Sequence, residues 1–272
     1  MITVVVDSTA YFTKKEAAEF GIVTVPLAYS VNGIGYRESY ADANGDYEAL
    51  IGGCDGNCNT YQRNTNTYAK IFEKLVNEGR EVFCVTISSR LSGAFSSARI
   101  ASKKVGRGKV RVFDTLLGAG GLYLMAKKAA ALAAVGLDAD RIEKSIKGDI
   151  ERIGICFSVD DISCLKRGGR LGNVPQISPI LNYKPFFKLI DGSIVFDKMS
   201  RGDAERFRHL TKCVPRDAKR VIVQHISHLK DAQRLCEQIE KDVPDAMVEL
   251  RRLGPVLAVH LGLGCLVVTY EE

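Results

Sequence analysis

The stretch from Glu81 to Val105 reads EVFCVTISSRLSGAFSSARIASKKV. Its opening, Glu81–Ile87, is a β-branched and aromatic run, the composition of a buried strand. Ser88 through Gly93 is rich in hydroxyls and ends in glycine, as a strand-to-helix turn does. Ala94–Val105 then carries small and apolar residues at helical spacing. Strand, turn and helix in so short a stretch make half of a βαβ unit, and the flanks repeat the pattern. Upstream, the strand Ile2–Val6 ends at Asp7-Ser8-Thr9, the helix Lys14–Phe20 stops at Gly21, and Ile22–Leu27 reads as a second strand. Downstream come the strand Val110–Phe113 and a long Ala-rich helix, Gly118–Val135. The alternation predicts an α/β fold with a mainly parallel sheet.

The rest of the chain varies this theme. Asn32-Gly33 between Leu27–Val31 and Ile34–Arg37 predicts a hairpin. Asp42–Arg63 reads mostly as loop around a short helix near Tyr47–Ile51, and Thr67–Glu78 as a helix. Asp140–Arg152 is a more polar helix. Ile153–Val159 opens a second unit, in which Asp160–Lys166 is helical. Tyr183–Leu189 and Ser193–Lys198 flank a second hairpin turn, Ile190-Asp191-Gly192. Helices Asp203–Cys213 and Lys230–Lys241 follow, with strands Arg220–Gln224, Met247–Arg251 and Cys265–Tyr270. These predict two α/β domains, 1–153 and 154–272, the second with a mixed sheet.

The chain has 272 residues, 46% of them hydrophobic, enough for a core without metal or disulfide staples. Its 38 basic and 32 acidic residues leave a net charge of +6, too mild and too evenly spread for a dedicated nucleic-acid binder. The start, Met1-Ile2-Thr3-Val4-Val5-Val6, lacks a basic region and is ended by Asp7, and no apolar run is long enough to span a membrane. The expectation is a cytoplasmic protein with at most transient membrane contact. Its eight cysteines are expected as reduced thiols, with Cys84, Cys156 and Cys265 packed in the core.

Ligands of open α/β sheets gather beyond the carboxyl ends of the strands. Those ends carry Asp7-Ser8-Thr9, Ser88-Ser89 running into Leu91-Ser92-Gly93, and Asp114-Thr115. Each could simply cap a helix. Ser92-Gly93 is more pointed: a hydroxyl at a helix start, beside Ile87, Leu91 and Phe95, suits a small carboxylate with a hydrophobic tail. Ser92 could instead be a nucleophile with His260 as its base, but the nucleophile-elbow pattern is absent. Cys54-x-x-x-Cys58 and His209-x-x-x-Cys213 have tolerable zinc spacing, yet nothing brings them together, and no metal is expected. Neither glycine-rich nucleotide fingerprint is present. Gly118-Ala119-Gly120-Gly121 reads as close helix–sheet packing. Two basic strings beside glycines, Lys166 to Arg170 and Lys198 to Gly202, could dock an acidic partner or a phosphate.

Taken in order, the strings Asp7 to Ala10, Ser88 to Ala98 (SSRLSGAFSSA), Asp114-Thr115, Leu165 to Arg170 (LKRGGR), Leu181 to Pro185 (LNYKP), Lys198 to Gly202 (KMSRG) and Gly254 to Gly264 (GPVLAVHLGLG) resemble the DegV family of bacterial fatty-acid-binding proteins. The resemblance covers nearly the whole chain. It implies a two-domain fold with a long-chain fatty acid buried between the domains, and no other cofactor. It places the carboxylate on Thr60, Ser92, Gly93 and His260. It further implies presentation of the acid to a fatty-acid kinase in phospholipid metabolism, with Arg170, Arg201 and His260 as candidates for phosphate handling or docking. On that reading the chain is a carrier with no activity alone; a Ser92/His260 acyl hydrolase or acyltransferase is the rival. The sequence departs from the family strings at Tyr61, Arg63 and Leu263, and Arg63 would add a cation near the carboxylate.

Overall fold

The computed structural model describes residues 1–54, 56–61, 65–106, 108–171 and 182–272. The N-terminal part runs β1 (Ile2–Asp7), α1 (Lys14–Glu19), β2 (Val23–Val25), β3 (Leu27–Val31), β4 (Ile34–Glu38), α2 (Tyr47–Gly52), β5 (Cys58–Tyr61), α3 (Thr65–Asn77), β6 (Glu81–Thr86), α4 (Ala94–Val105), β7 (Val110–Asp114), α5 (Ala119–Ala134) and α6 (Ala139–Ile150). The C-terminal part continues with β8 (Ile153–Ser158), α7 (Ser163–Arg167), β9 (Tyr183–Ile190), β10 (Ser193–Arg201), α8 (Gly202–Lys212), β11 (Arg220–Ile226), α9 (Leu229–Asp242), β12 (Met247–Arg252), α10 (Pro255–Leu261) and β13 (Cys265–Glu271).

The strands form a parallel sheet in the order β2-β1-β6-β7, and a mixed sheet in the order β10-β9-β8-β13-β11-β12. Among the described strands of the mixed sheet, β11 and β12 run parallel and the other neighbours antiparallel. A small antiparallel sheet, β4-β3-β5, sits beside them. The parallel N-terminal and mixed C-terminal sheets agree with the expectation from the sequence.

One helix spaces the two large sheets. α5 is apolar on nearly every face and packs against β1 and β6 on one side and β8 and β13 on the other. Its glycines allow that approach. A Cβ on Gly120 would stand 2.7 Å from Thr269 Oγ1, and one on Gly121 2.9 Å from Ile155 Cδ1. The Gly120 amide also donates to Gln224 Oε1 at 2.7 Å. The main hydrophobic cluster therefore runs without a break from Val4 and Val6, through Leu122 and Ala126, to Ile155 and Val267.

Both hairpin turns form where the sequence places them. Asn32 and Gly33, and likewise Asp191 and Gly192, hold positive φ in pairs, the requirement of a type I′ turn. The expected strand Ile22–Leu27 divides at Pro26, which has no N–H for a ladder. β2 joins the parallel sheet, and β3 leaves it for the small antiparallel one. Two short elements went unread in the sequence, β5 and α10, and each carries a site residue.

Four cysteines depart from the expectation of reduced thiols. Cys54 pairs with Cys58, and Cys156 with Cys213. Folding brings β8 against the end of α8, a contact that linear spacing did not reveal. Cys84 and Cys265 are free and buried, as expected. The zinc set is not assembled: its two halves each close a different sulfur pair, and the described residues hold no group of three or more potential metal ligands.

Candidate functional site

A cavity of about 60 Å³ opens between the parallel sheet's carboxyl ends and the C-terminal part. Its walls are mostly aliphatic, with Leu27, Ile87 and Leu91 from the N-terminal part and Leu165, Ile194 and Val256 from the C-terminal part. Its polar residues include Thr60, Ser92, Arg170 and His260.

Local chemistry sets each wall. Asp7 ends β1 fully buried and accepts hydrogen bonds from the Thr9 amide at 3.2 Å, the Thr9 hydroxyl, and the Ile87 amide at 2.8 Å. It thereby ties the end of β1 to the end of β6, and burial raises its pKa. The capping role expected of this string is thus observed, and Thr9 lines the cavity floor. Asp114, at the end of β7, accepts from the amides of Ser89 and Leu116, both at 3.1 Å, and holds the loop that leads to Ser92. Ser88 Oγ donates to Gly192 O at 2.7 Å, docking the β9–β10 turn on that loop. Gly192 has φ +77°, and a Cβ there would lie 2.5 Å from Ser88 Oγ, so both conformation and space call for glycine.

Behind the wall, Glu38 is wholly buried at the end of β4. It accepts from the Ser8 hydroxyl at 2.7 Å and from the Val256 amide, at the start of α10, at 2.8 Å. Burial pushes its pKa up to about 7. Glu38 thus fastens α10, which presents His260, to the N-terminal part. α10 itself packs on α2, β3 and β5.

The polar end of the cavity is one connected cluster. His260 Nε2 lies 2.9 Å from Thr60 Oγ1, and Nδ1 lies 3.3 Å from Arg170 Nη1. A guanidinium only donates, so Nδ1 must be the accepting nitrogen. The neutral ring then carries its proton on Nε2 and donates to Thr60 Oγ1. That leaves the Thr60 O–H to donate elsewhere. Burial, and then the Arg170 charge, push the His260 pKa down to about 3, so the ring stays neutral.

Arg170 is held from several sides. Its Nε donates to Leu91 O at 2.9 Å, and Nη1 to Gly168 O at 2.7 Å. Nη2 makes no hydrogen bond to protein among the described residues. Ser92 Oγ accepts from the Ala94 amide at 3.2 Å and keeps a rotatable O–H. Gly93 is the N-cap of α4 and offers no side chain to the first amides of that helix. The Arg170 guanidinium, the Thr60 and Ser92 hydroxyls and Ala94 at the start of α4 border one cavity, an arrangement that suits an anion.

Thr60, Ser92, Arg170 and His260 are therefore brought together. Arg201 is not. It ends β10 away from the cavity lining, and its amide donates to Glu205 Oε2 at 2.6 Å. Tyr61 lines the cavity while half-exposed. Leu263 lies on the far side of α10, against Gly52. Arg63, its neighbours Gln62 and Asn64, and Leu181 lie outside the described residues. No Ser92–His260 hydrogen bond forms among the described residues, and both ring nitrogens of His260 face other partners. Residues read only after folding include Glu38 and Ile194. Their one clue was position, at strand ends or in a hairpin.

Comparison with known proteins agrees with this architecture. The model of the family described as uncharacterised proteins of the DegV family matches residues 1–272. The chain belongs to the DegV family. A DegV domain-containing protein of Halalkalibacterium halodurans is 29% identical over 271 residues, covering 97% of this chain and 95% of its own. The crystal structure of DegV, a fatty acid binding protein from Bacillus subtilis, superposes with a TM-score of 0.87 at 25% identity, over 100% of this chain and 99% of that one. A fatty acid binding DegV family protein from Streptococcus agalactiae gives 0.89 at 21% identity, over 100% and 99% of the two chains. A stearic acid-binding protein from Eubacterium ventriosum gives 0.87 at 22% identity, over 100% and 98%. Among the described residues no helix is long and apolar enough to cross a membrane.

Proposed function

We propose that this protein binds a long-chain fatty acid, its carboxylate against Arg170, Thr60, Ser92, Gly93 and His260, and its chain along the aliphatic walls. The observation that carries the reading is the Arg170–His260–Thr60 cluster on the wall of a mostly aliphatic cavity. Neutral His260 passes donor capacity to Thr60, while Arg170 supplies the opposite charge. About 14 buried methylenes contribute on the order of 11 kcal/mol of gross transfer energy, which ordering costs reduce. The apolar walls thus hold the ligand, and the polar end orients it. The fatty acids bound by the structural relatives support the same ligand class.

The cavity takes walls from both 1–153 and 154–272, and these two units are the halves that close on the acid. The chain itself performs no acyl-transfer chemistry: a ring with a pKa near 3 is a poor general base, which disfavours the acyl-hydrolase reading. The protein acts in the cytoplasm and presents the acid to a fatty-acid kinase, with Arg170 near the phosphate and Arg201 at the docking surface. Denaturing extraction of purified protein followed by mass spectrometry tests the ligand. Near one equivalent of free long-chain acid is expected. An acylated Ser92 or turnover of an ester would overturn the carrier reading.

A further inference from the structure

α10 forms the back wall of the acid-binding cavity, and behind it lies a second, open cavity of about 360 Å³. Leu261 lines both. Three sulfurs border this second cavity: those of the paired Cys54 and Cys58, and the free thiol of Cys164. Arg167 connects them. Its Nη2 donates to Cys164 Sγ at 3.2 Å, and its Nη1 occupies the space a side chain at Gly56, between the paired cysteines, would need.

We propose that Cys54, Cys58 and Cys164 form a thiol–disulfide exchange site for a low-molecular-weight thiol. A free thiol and a disulfide border one concave, solvent-reached cavity, which gives both the access that exchange requires. Arg167 places positive charge against the sulfur that must become negative to attack. The other cysteines lack this setting. Cys84 and Cys265 are buried, Cys236 is pushed up to about 11 by burial, and Cys156 is buried within its own pair.

In the exchange, the Cys164 thiolate attacks one sulfur of the Cys54–Cys58 bond. A new S–S bond forms to Cys164, the old one breaks, and the departing sulfur leaves as a thiolate that takes a proton from solvent. Two molecules of the small thiol complete the reduction. The first displaces Cys164 from its mixed disulfide, and the second releases the first as the oxidised small disulfide. Two electrons thus pass from the small thiols to the protein pair.

The site reaches the front cavity by two short routes. The Cys54–Cys58 pair closes a loop of four residues' separation directly before β5. β5 begins at Cys58 and carries Thr60. α7 carries Cys164 and leads directly to Gly168, whose carbonyl holds Arg170. Disulfides that do occur in reducing compartments are mostly catalytic or redox-sensing, which fits a pair placed here.

The test uses the full chain without lipid, so its outcome is independent of the acid-binding reading. Cys54→Ser and Cys58→Ser are each treated with oxidised glutathione, quenched in acid and peptide-mapped without reduction. At least one variant is expected to form a bond between Cys164 and the remaining loop cysteine. In the unmutated loop, Cys164→Ala is expected to slow opening of the Cys54–Cys58 pair by reduced glutathione at least tenfold. Folded serine variants that yield only glutathione adducts would overturn the proposal. So would equal opening rates with and without Cys164, a comparison that stands even if a serine variant fails to fold.

Discussion

Replacing Arg170 with methionine removes the guanidinium from the polar end of the cavity while keeping an unbranched side chain. The proposed function gives Arg170 two tasks. Its Nη2 edge faces no protein acceptor among the described residues and, in that proposal, is the charged donor for a carboxylate. Its Nε and Nη1 hold Leu91 O, Gly168 O and His260 Nδ1. Losing the first should weaken only ligands with a carboxylate; losing the second should weaken every ligand. Comparing palmitate with hexadecanol, of equal chain length, separates them. A hydrogen bond to a charged group contributes about 1.5–3 kcal/mol, so palmitate affinity should fall about 10- to 150-fold more than hexadecanol affinity. Calorimetric titration of delipidated protein gives both Kd values. Equal losses for acid and alcohol would refute the carboxylate role and leave Arg170 as a brace. The same variant should let the His260 pKa rise from about 3, because the Arg170 charge is gone. It should remain below 6.5, because burial is the larger cause. An NMR titration of the ring reads that shift directly.

Three further outcomes are expected. Ser92→Ala should weaken fatty-acid retention about 3- to 10-fold, the contribution of one ordinary hydrogen bond, and unchanged binding would remove Ser92 from the carboxylate site. Glu38, raised to about 7 from 4.5 by burial, binds its proton more tightly in the folded chain, so it costs stability as pH rises through that window. The advantage of Glu38→Gln over the parent in urea unfolding should therefore grow by about 3 kcal/mol between pH 4.5 and pH 8, and a flat difference would contradict the burial argument. Gly192→Ala should cost about 1–3 kcal/mol more than Gly33→Ala in the same assay. Both glycines have positive φ, but only a Cβ at Gly192 meets Ser88 Oγ and Leu116; equal costs would mean the hairpin is not pressed against the Ser88 loop.

Local signals carried much of the fold because they are local in origin. Val and Ile runs are strands wherever they pack. Asn32-Gly33 and Asp191-Gly192 make hairpins because few residues tolerate paired positive φ. Gly120 and Gly121 announced a close approach of helix to sheet, though not which sheet they meet. Short elements were harder. β5 is too brief to show alternation, and α10 looked like a glycine-bounded motif, although Pro255 at its first turn is a helix-start signal.

The sequence by itself determined an α/β chain of parallel and mixed sheets, both hairpins, the hydroxyl-rich strand ends, and the candidates Ser92, Arg170 and His260. Only the tertiary structure decided that Thr60 and Arg170 hold the two nitrogens of one imidazole and that Glu38 anchors α10. It also decided that Arg201 stands apart and that Cys156 meets Cys213. The reason is separation along the chain. Thr60 and His260 lie 200 residues apart, and Arg170 and His260 lie 90 apart, so no spacing rule connects them. Their pKa values, tautomer and hydrogen bonds follow from burial and neighbours, which exist only once both sheets have closed on α5.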